Sequence, residues 1–213
     1  MEAIHRELTV QGIITEGVKL GLKNFFSLIG AYILWILTIW IPYINVGTTI
    51  GLISIVLSMS KGKVISPTEI FDSRYRRYMG EFFLLMSFVY IGVIFGLLFV
   101  VIPGIVIGLA WSQAIYLLLD KGMGPMEALK MSNKITYGKK WTIFFGILVL
   151  TIILLIFDAV LTFAGGQISE TLGAILGIVS TLIVLPVILG GYAHIYRVLV
   201  ERLNETDATS PAF

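Results

Sequence analysis

A chain of 213 residues that is 57% hydrophobic and only 13% charged cannot cover a globular surface in water, because soluble domains carry roughly 25% charged residues. Lipid must cover most of it. There is no cysteine, which excludes disulfides, thiolate nucleophiles and Cys-based metal sites, and a net charge of +2 gives no reason to expect a nucleic-acid partner.

In chain order, the first 24 residues carry Glu2, His5, Arg6, Glu7, Glu16, Lys19 and Lys23. They lack the apolar core and small-residue cleavage site of a signal peptide. A crossing helix needs about 20 mostly apolar residues. The sequence predicts an all-α, polytopic membrane protein with about six of them. They are Phe25–Ile41, Val46–Met59, Phe82–Ile102, Gly104–Leu119, Trp141–Ala164 and Leu172–Val200. The second and fourth are short and reach crossing length only with their turns. Those turns are predicted at Pro42–Asn45 and Pro103–Gly104. Pro cannot continue a helix without losing a hydrogen bond, and Gly permits a tight turn. The helices therefore pair as hairpins within a single transmembrane domain over 1–213.

All fifteen Lys and Arg fall on one side of that arrangement. Arg6, Lys19 and Lys23 precede the first span. Lys61, Lys63, Arg74, Arg76 and Arg77 lie between the second and third, and Lys121, Lys130, Lys134, Lys139 and Lys140 between the fourth and fifth. Arg197 and Arg202 end the sixth. The positive-inside rule makes this side cytoplasmic, with both chain ends on it.

The basic segments resemble one another. Lys61-Gly62 is followed by Ser66-Pro67-Thr68-Glu69, and Lys121-Gly122 by Gly124-Pro125-Met126-Glu127. In each, Pro suits the first helical position and Glu can reach back to the cap, Ser66 or Gly124. Each should start a short amphipathic helix. A weaker relative, Glu16-Gly17-Val18-Lys19, precedes the first span. Pro42 and Gly47, Pro103 and Gly108, and Pro186 and Gly191 share one spacing. The chain thus reads as three units, 1–60, 61–120 and 121–204, with a flexible cytoplasmic tail over 205–213. Pro186 either kinks a long helix or marks an outer turn.

After Pro125, Ala128, Leu129, Met131, Ser132, Ile135 and Thr136 share one helical arc, and Lys130, Asn133, Lys134 and Tyr137 the opposite one. Ala128, Ser132 and Thr136 form a small-residue row that lets another helix approach closely. The lysines read as headgroup-facing or simply solvated charge. GxxxG pairs occur at Gly47–Gly51, Gly92–Gly96, Gly104–Gly108 and Gly173–Gly177. They point to close packing within the chain, with self-association as the alternative.

Residues Gly124 to Phe144 carry a distinctive pattern: Pro125, Glu127, Ala128, Leu129 and Lys130, then Ser132, Thr136, Gly138, Trp141 and Phe144. It resembles a group of six-helix bacterial and archaeal membrane proteins without an assigned activity. That group looks related to the membrane domain of some glycerophosphodiester phosphodiesterases. The resemblance implies a six-helix fold in the cytoplasmic membrane of a prokaryote. It implies no activity, and this chain has no phosphodiesterase domain. The pattern also has a structural reading. Pro125 and Glu127 start a helix, the small residues pack it, Gly138 ends it in a left-handed cap and Trp141 sits at the interface.

No catalytic, cofactor or metal constellation is present: no H-E-x-x-H, G-x-S-x-G, P-loop or paired carboxylates within the spans. Asp158 is the single acid well inside an apolar run, which makes it a candidate by default. It lies about 25 Å along a helix from Trp141, so it is expected charged and wetted near the outer face. The alternative is a neutral, hydrogen-bonded group inside. Gln113, beside Ser112, and His194, near Tyr192 and Tyr196, are the other weak candidates. Such groups more often bond neighbouring helices, and tyrosines more often mark the interface. The expectation is a non-enzymatic membrane protein with a groove for an amphiphile or small solute, permease-like or lipid-handling. The alternative is a structural or accessory subunit of a larger membrane complex.

Overall fold

The computed structural model describes residues 7–209. Glu2, His5 and Arg6, and the last four residues of the expected tail, lie outside them. The described residues are helical apart from short connections. Five stretches are long and apolar enough to cross a membrane: Pro42–Ser60, Ser73–Phe99, Val101–Lys121, Lys140–Ile168 and Glu170–Asn204. A sixth arises only if two helices, α1 (Val10–Lys23) and α2 (Phe25–Thr38), count as one span despite a 72° bend between them.

The first hairpin joins α2 to α3 (Pro42–Ser60). The two run antiparallel, with Trp35 Nε1 donating to Thr49 Oγ1 at 2.9 Å and the Thr38 and Thr48 hydroxyls 3.0 Å apart. The turn is at residues 39–41 and not at Pro42–Asn45, because Pro42 is in the first turn of α3, where its missing N–H costs nothing.

The second hairpin joins α4 (Met79–Phe99) to α5 (Val101–Trp111). Its turn is at Val100, with extended φ −161° and ψ 147°, and not at Pro103–Gly104. Pro103 is the third residue of α5, a first-turn position where the N–H has no helical acceptor to lose. Gly104 is needed for another reason. A Cβ on Gly96 would lie 2.8 Å from the Gly104 Cα, so the two backbones touch.

The third hairpin joins α8 (Lys140–Ile168) to α9 (Glu170–Thr209). It turns at Ser169, whose Oγ accepts the Leu172 N–H at 3.1 Å. Pro186 lies inside α9, so it marks no outer turn. The helix also continues past 205, where a tail was expected to begin. α1 packs antiparallel on α9, backbone to backbone. A Cβ on Gly190 would meet the Gly17 carbonyl oxygen at 2.2 Å, and one on Gly21 would meet that of Pro186 at 2.5 Å.

Both basic segments open with a left-handed glycine, Gly62 (φ +71°) and Gly122 (φ +66°). The second ends α6 (Ala114–Lys121) and leads to α7 (Pro125–Thr136). Its buried residues are Ala128, Leu129, Ser132, Ile135 and Thr136, the predicted arc except for Met131, which is half-buried. Gly138 follows with φ +75°. The first segment instead forms two 3₁₀ turns, Pro67–Phe71 and Ser73–Tyr78. Glu69 does not return to its cap; it accepts the Ser58 hydroxyl at 3.1 Å.

That first segment doubles back along α3. A Cβ on Gly51 would lie 2.5 Å from the Ile70 carbonyl oxygen, and one on Gly47 would lie 3.2 Å from Arg76 Cγ and 3.4 Å from Met79 Cε. At the other end of α3, Lys61 pairs with Asp120. Met79 begins α4 and Asp120 nearly ends α6, and α4 runs antiparallel to α5 and α6. Gly47 and Lys61, about 21 Å apart along α3, thus both meet the same end of that pair. α3 lies across this basic end and does not run up beside α4. Farther along α4, Tyr90, Ile94, Phe95, Leu98 and Phe99 are exposed.

Candidate functional site

The apolar run over Gly104–Leu119 is interrupted, because α5 ends at Trp111 and α6 begins at Ala114. A break leaves carbonyls and N–H groups without helical partners, which is costly away from water. Ser132 of α7 satisfies them. Its hydroxyl donates to the Ala110 carbonyl at 2.6 Å and accepts the Gln113 backbone N–H at 3.1 Å. The Thr136 hydroxyl lies 2.8 Å from the Ser132 carbonyl and 3.4 Å from that of Ala110. Both side chains are fully buried. The small-residue row on α7 is thus a plug for a broken helix. Gln113 is also fully buried. Its Nε2 donates to Ser112 Oγ at 3.0 Å, while its Oε1 accepts no hydrogen bond among the described residues.

Beside the break, a cavity of about 410 Å³ opens between α5 and α8. Ile105, Leu109, Phe144 and Ile147 make its walls, and Gly108 leaves it room. Ser112, Thr151 and Tyr192 are its polar groups. Ser112 is engaged, donating to the Leu109 carbonyl at 2.8 Å. No hydrogen bond ties the Tyr192 hydroxyl to the described residues. Of the pattern from Pro125 to Phe144, Phe144 lines this groove and the other residues support it from behind. Ser132 and Thr136 hold the break that carries Ser112, Gly138 turns the chain into α8, and Phe144 enters the wall. The Trp141 and Phe144 rings meet edge to face at 5.8 Å.

A second cavity, of about 280 Å³, lies beneath α3 at the basic end. Asp120 is its best-held group, with a side chain only 9% exposed. It pairs with Lys61 and accepts the Tyr196 hydroxyl at 2.7 Å. Tyr196 is itself buried, its ring 5.6 Å from that of Tyr116. Tyr196 is thus a core residue and not an interface marker. Tyr192 and Tyr196 are one helical turn apart and share a face. That spacing was the available signal for this group. Nothing in the sequence paired Asp120 with Lys61, because their partnership depends on α3 lying across α6. At the cavity edge, the side-chain and backbone hydrogen bonds from Arg74 hold the Asp72 carboxyl below the usual aspartate range.

The three weak candidates occupy separate surroundings. Gln113 is at the plugged break. Asp158 is half-buried between α8 and α9, where Ser180 and Thr181 donate to its Oδ1, the latter at 3.2 Å. It is thus hydrogen-bonded from the neighbouring helix while partly open. His194 is buried, with Nδ1 3.1 Å from the Arg197 guanidinium, which also donates to Glu16 at 3.1 Å. No protein-family model, curated protein or solved structure matches the chain.

Proposed function

We propose that this chain is a non-enzymatic integral protein of a prokaryotic cytoplasmic membrane that handles a lipid or related amphiphile. Both chain ends are cytoplasmic in this reading, and the groove between α5 and α8 takes the amphiphile's apolar chain. The observation that carries it is the groove itself. Its volume falls within the range of ligand pockets, about 300–1,000 Å³. Its walls are apolar, and its hydroxyl at Tyr192 is left for an occupant. α4, α5 with α6, α8 and α9 are the crossings the reading requires. Because the groove lies among these apolar helices, the surrounding bilayer is its nearest source of ligand. No catalytic residue, cofactor or metal is assigned to it.

The competing reading, an accessory subunit, drew on the small-residue stripes. Those glycines face partners within the chain: Gly51 meets Ile70, Gly92 meets Trp111, Gly96 meets Gly104, Gly173 meets Gly166 and Gly177 meets Thr162. Packed in this way, these five lend the subunit reading no support.

A phospholipid bearing a photoreactive group in its acyl chain tests this. Labelling should concentrate on residues 105–112 and 143–151. A Cβ on Gly108 meets only Val93 Cγ2, at 3.8 Å, so Gly108→Phe should fill the groove without breaking the hairpin. It should cut labelling about tenfold, the equivalent of ~1.4 kcal/mol. Labelling spread evenly along the exposed face of α4, unchanged in the variant, would remove the groove from the account.

A further inference from the structure

We propose that the basic cavity beneath α3 binds a phosphate-bearing anion, and that its source is the headgroup of an anionic lipid in the cytosolic leaflet. The proposal rests on the membrane orientation above and concerns a different site from the α5–α8 groove.

Four cations line the cavity, Lys61, Lys63, Arg74 and Arg77, against two carboxylates, Glu69 and Asp120. The carboxylates are already occupied. Asp120 has Lys61 and Tyr196, and Glu69 accepts from Ser58. Arg74 is paired with Asp72. Lys63 and Arg77 make no ion pair among the described residues. Arg77 stands 5.6 Å from the Tyr78 ring centroid, which leaves its N–H edge available. Two unmatched cations lining one polar hollow, a guanidinium and an ammonium, suit a phosphate oxygen set.

The position of α3 argues for the source. The α2–α3 hairpin exposes Phe26, Ile33, Leu37, Trp40 and Tyr43, with Phe26 and Trp40 each 85% exposed. Aromatics of this kind favour the bilayer interface. Yet the hairpin's far end has charged neighbours: Asp72 and Arg76 share a cavity with Ile44 and Gly47. A tip flanked by residues from the basic side does not reach the opposite face. The hairpin instead lies in the cytosolic leaflet, with Phe26, Ile33 and Leu37 toward the acyl chains and the aromatics near its turn, Trp40 and Tyr43, at headgroup depth. The cavity behind α3 then opens at headgroup depth, where anionic lipids draw Lys and Arg.

Native mass spectrometry of the full chain in mild detergent tests ligand and source together. The probes are phosphatidylglycerol, phosphatidylcholine and inorganic phosphate. Phosphatidylglycerol should be retained about tenfold better than phosphatidylcholine, and the preference should weaken with salt. Lys63→Gln with Arg77→Gln should abolish the preference, whereas Lys130→Gln with Lys134→Gln on α7 should keep it. If the first pair does not fold, Lys63→Gln alone should lower the preference. Equal retention of the two lipids, or a preference untouched by the cavity variants, overturns the site. Retention of inorganic phosphate without phosphatidylglycerol overturns the lipid source.

The hairpin's depth is read separately, since the chain has no cysteine of its own. A membrane-impermeant maleimide should reach Gln167→Cys in intact cells. It should reach Lys63→Cys and Tyr43→Cys only when the inner face is opened. Tyr43→Cys reacting from outside, or from neither face, contradicts the headgroup depth. Lys63→Cys and Gln167→Cys reacting from the same side would instead break the orientation on which the proposal rests.

Discussion

The two basic segments begin alike and end differently. Each has a Lys-Gly pair with the glycine left-handed, then a cap, a proline and a glutamate. After Pro125 the apolar and small residues recur with helical period, and α7 runs for three turns with one face buried. After Pro67 no such period follows. Asp72 takes the Arg74 backbone N–H at 2.9 Å and starts a second turn in place of continuing the first. Start signals thus fix where a helix begins, and a periodic face decides whether it persists. The functions divide accordingly. The regular helix plugs a broken span and shapes an apolar groove. The irregular segment wraps α3 and lines a basic cavity.

The strongest way to break this contrast is at the plug. Ser132→Leu should destabilise the folded protein by about 3 kcal/mol, combining overpacking with exposed backbone groups at the break. Ala128→Leu, which only overpacks, should cost about 1–3 kcal/mol. Thermal melting in detergent reads both, and wild-type curves would mean that α7 is not packed against α5 and α6. On the other segment, Gly51→Ala places a Cβ 2.5 Å from the Ile70 carbonyl oxygen. A backbone shift of the Pro67–Phe71 turn should cost about 1–3 kcal/mol. A neutral result would show that the segment merely drapes over α3.

Lys61→Ala should have a smaller effect. Breaking a buried pair costs about 3–5 kcal/mol, but Lys61 is 52% exposed and Tyr196 still holds Asp120. About 1 kcal/mol remains after solvent screening. Asp158→Asn should matter least, below about 0.5 kcal/mol, since an amide oxygen can still accept from Ser180 and Thr181. Loss of lipid labelling in that variant, with melting unchanged, would shift the mechanism from the α5–α8 groove to Asp158.

What the sequence made legible follows from what each feature depends on. The arc of α7 and the left-handed Gly138 are local, and both were readable from spacing. Pro103 was misleading because a proline in the first turn of a helix and a proline in the turn before it share the same local chemistry. Pro186 was ambiguous for a similar reason. The interruption at Ser112–Gln113 had no local signal, because the group that tolerates it, Ser132, lies on another helix. The course of α3 was also invisible. Its length and apolarity suit a crossing, and only its contacts with Met79 and Asp120 lay it across the basic end.

An α5–α8 groove that holds one amphiphile chain should carry it through purification. The most direct measurement is the intact mass of the protein purified in mild detergent from its native membrane, compared with Gly108→Phe. The wild type should carry a lipid-sized adduct that the variant lacks, with the two proteins melting alike. A wild type that carries no such adduct, or that instead retains a second polypeptide in fixed ratio, would contradict a lipid-holding groove.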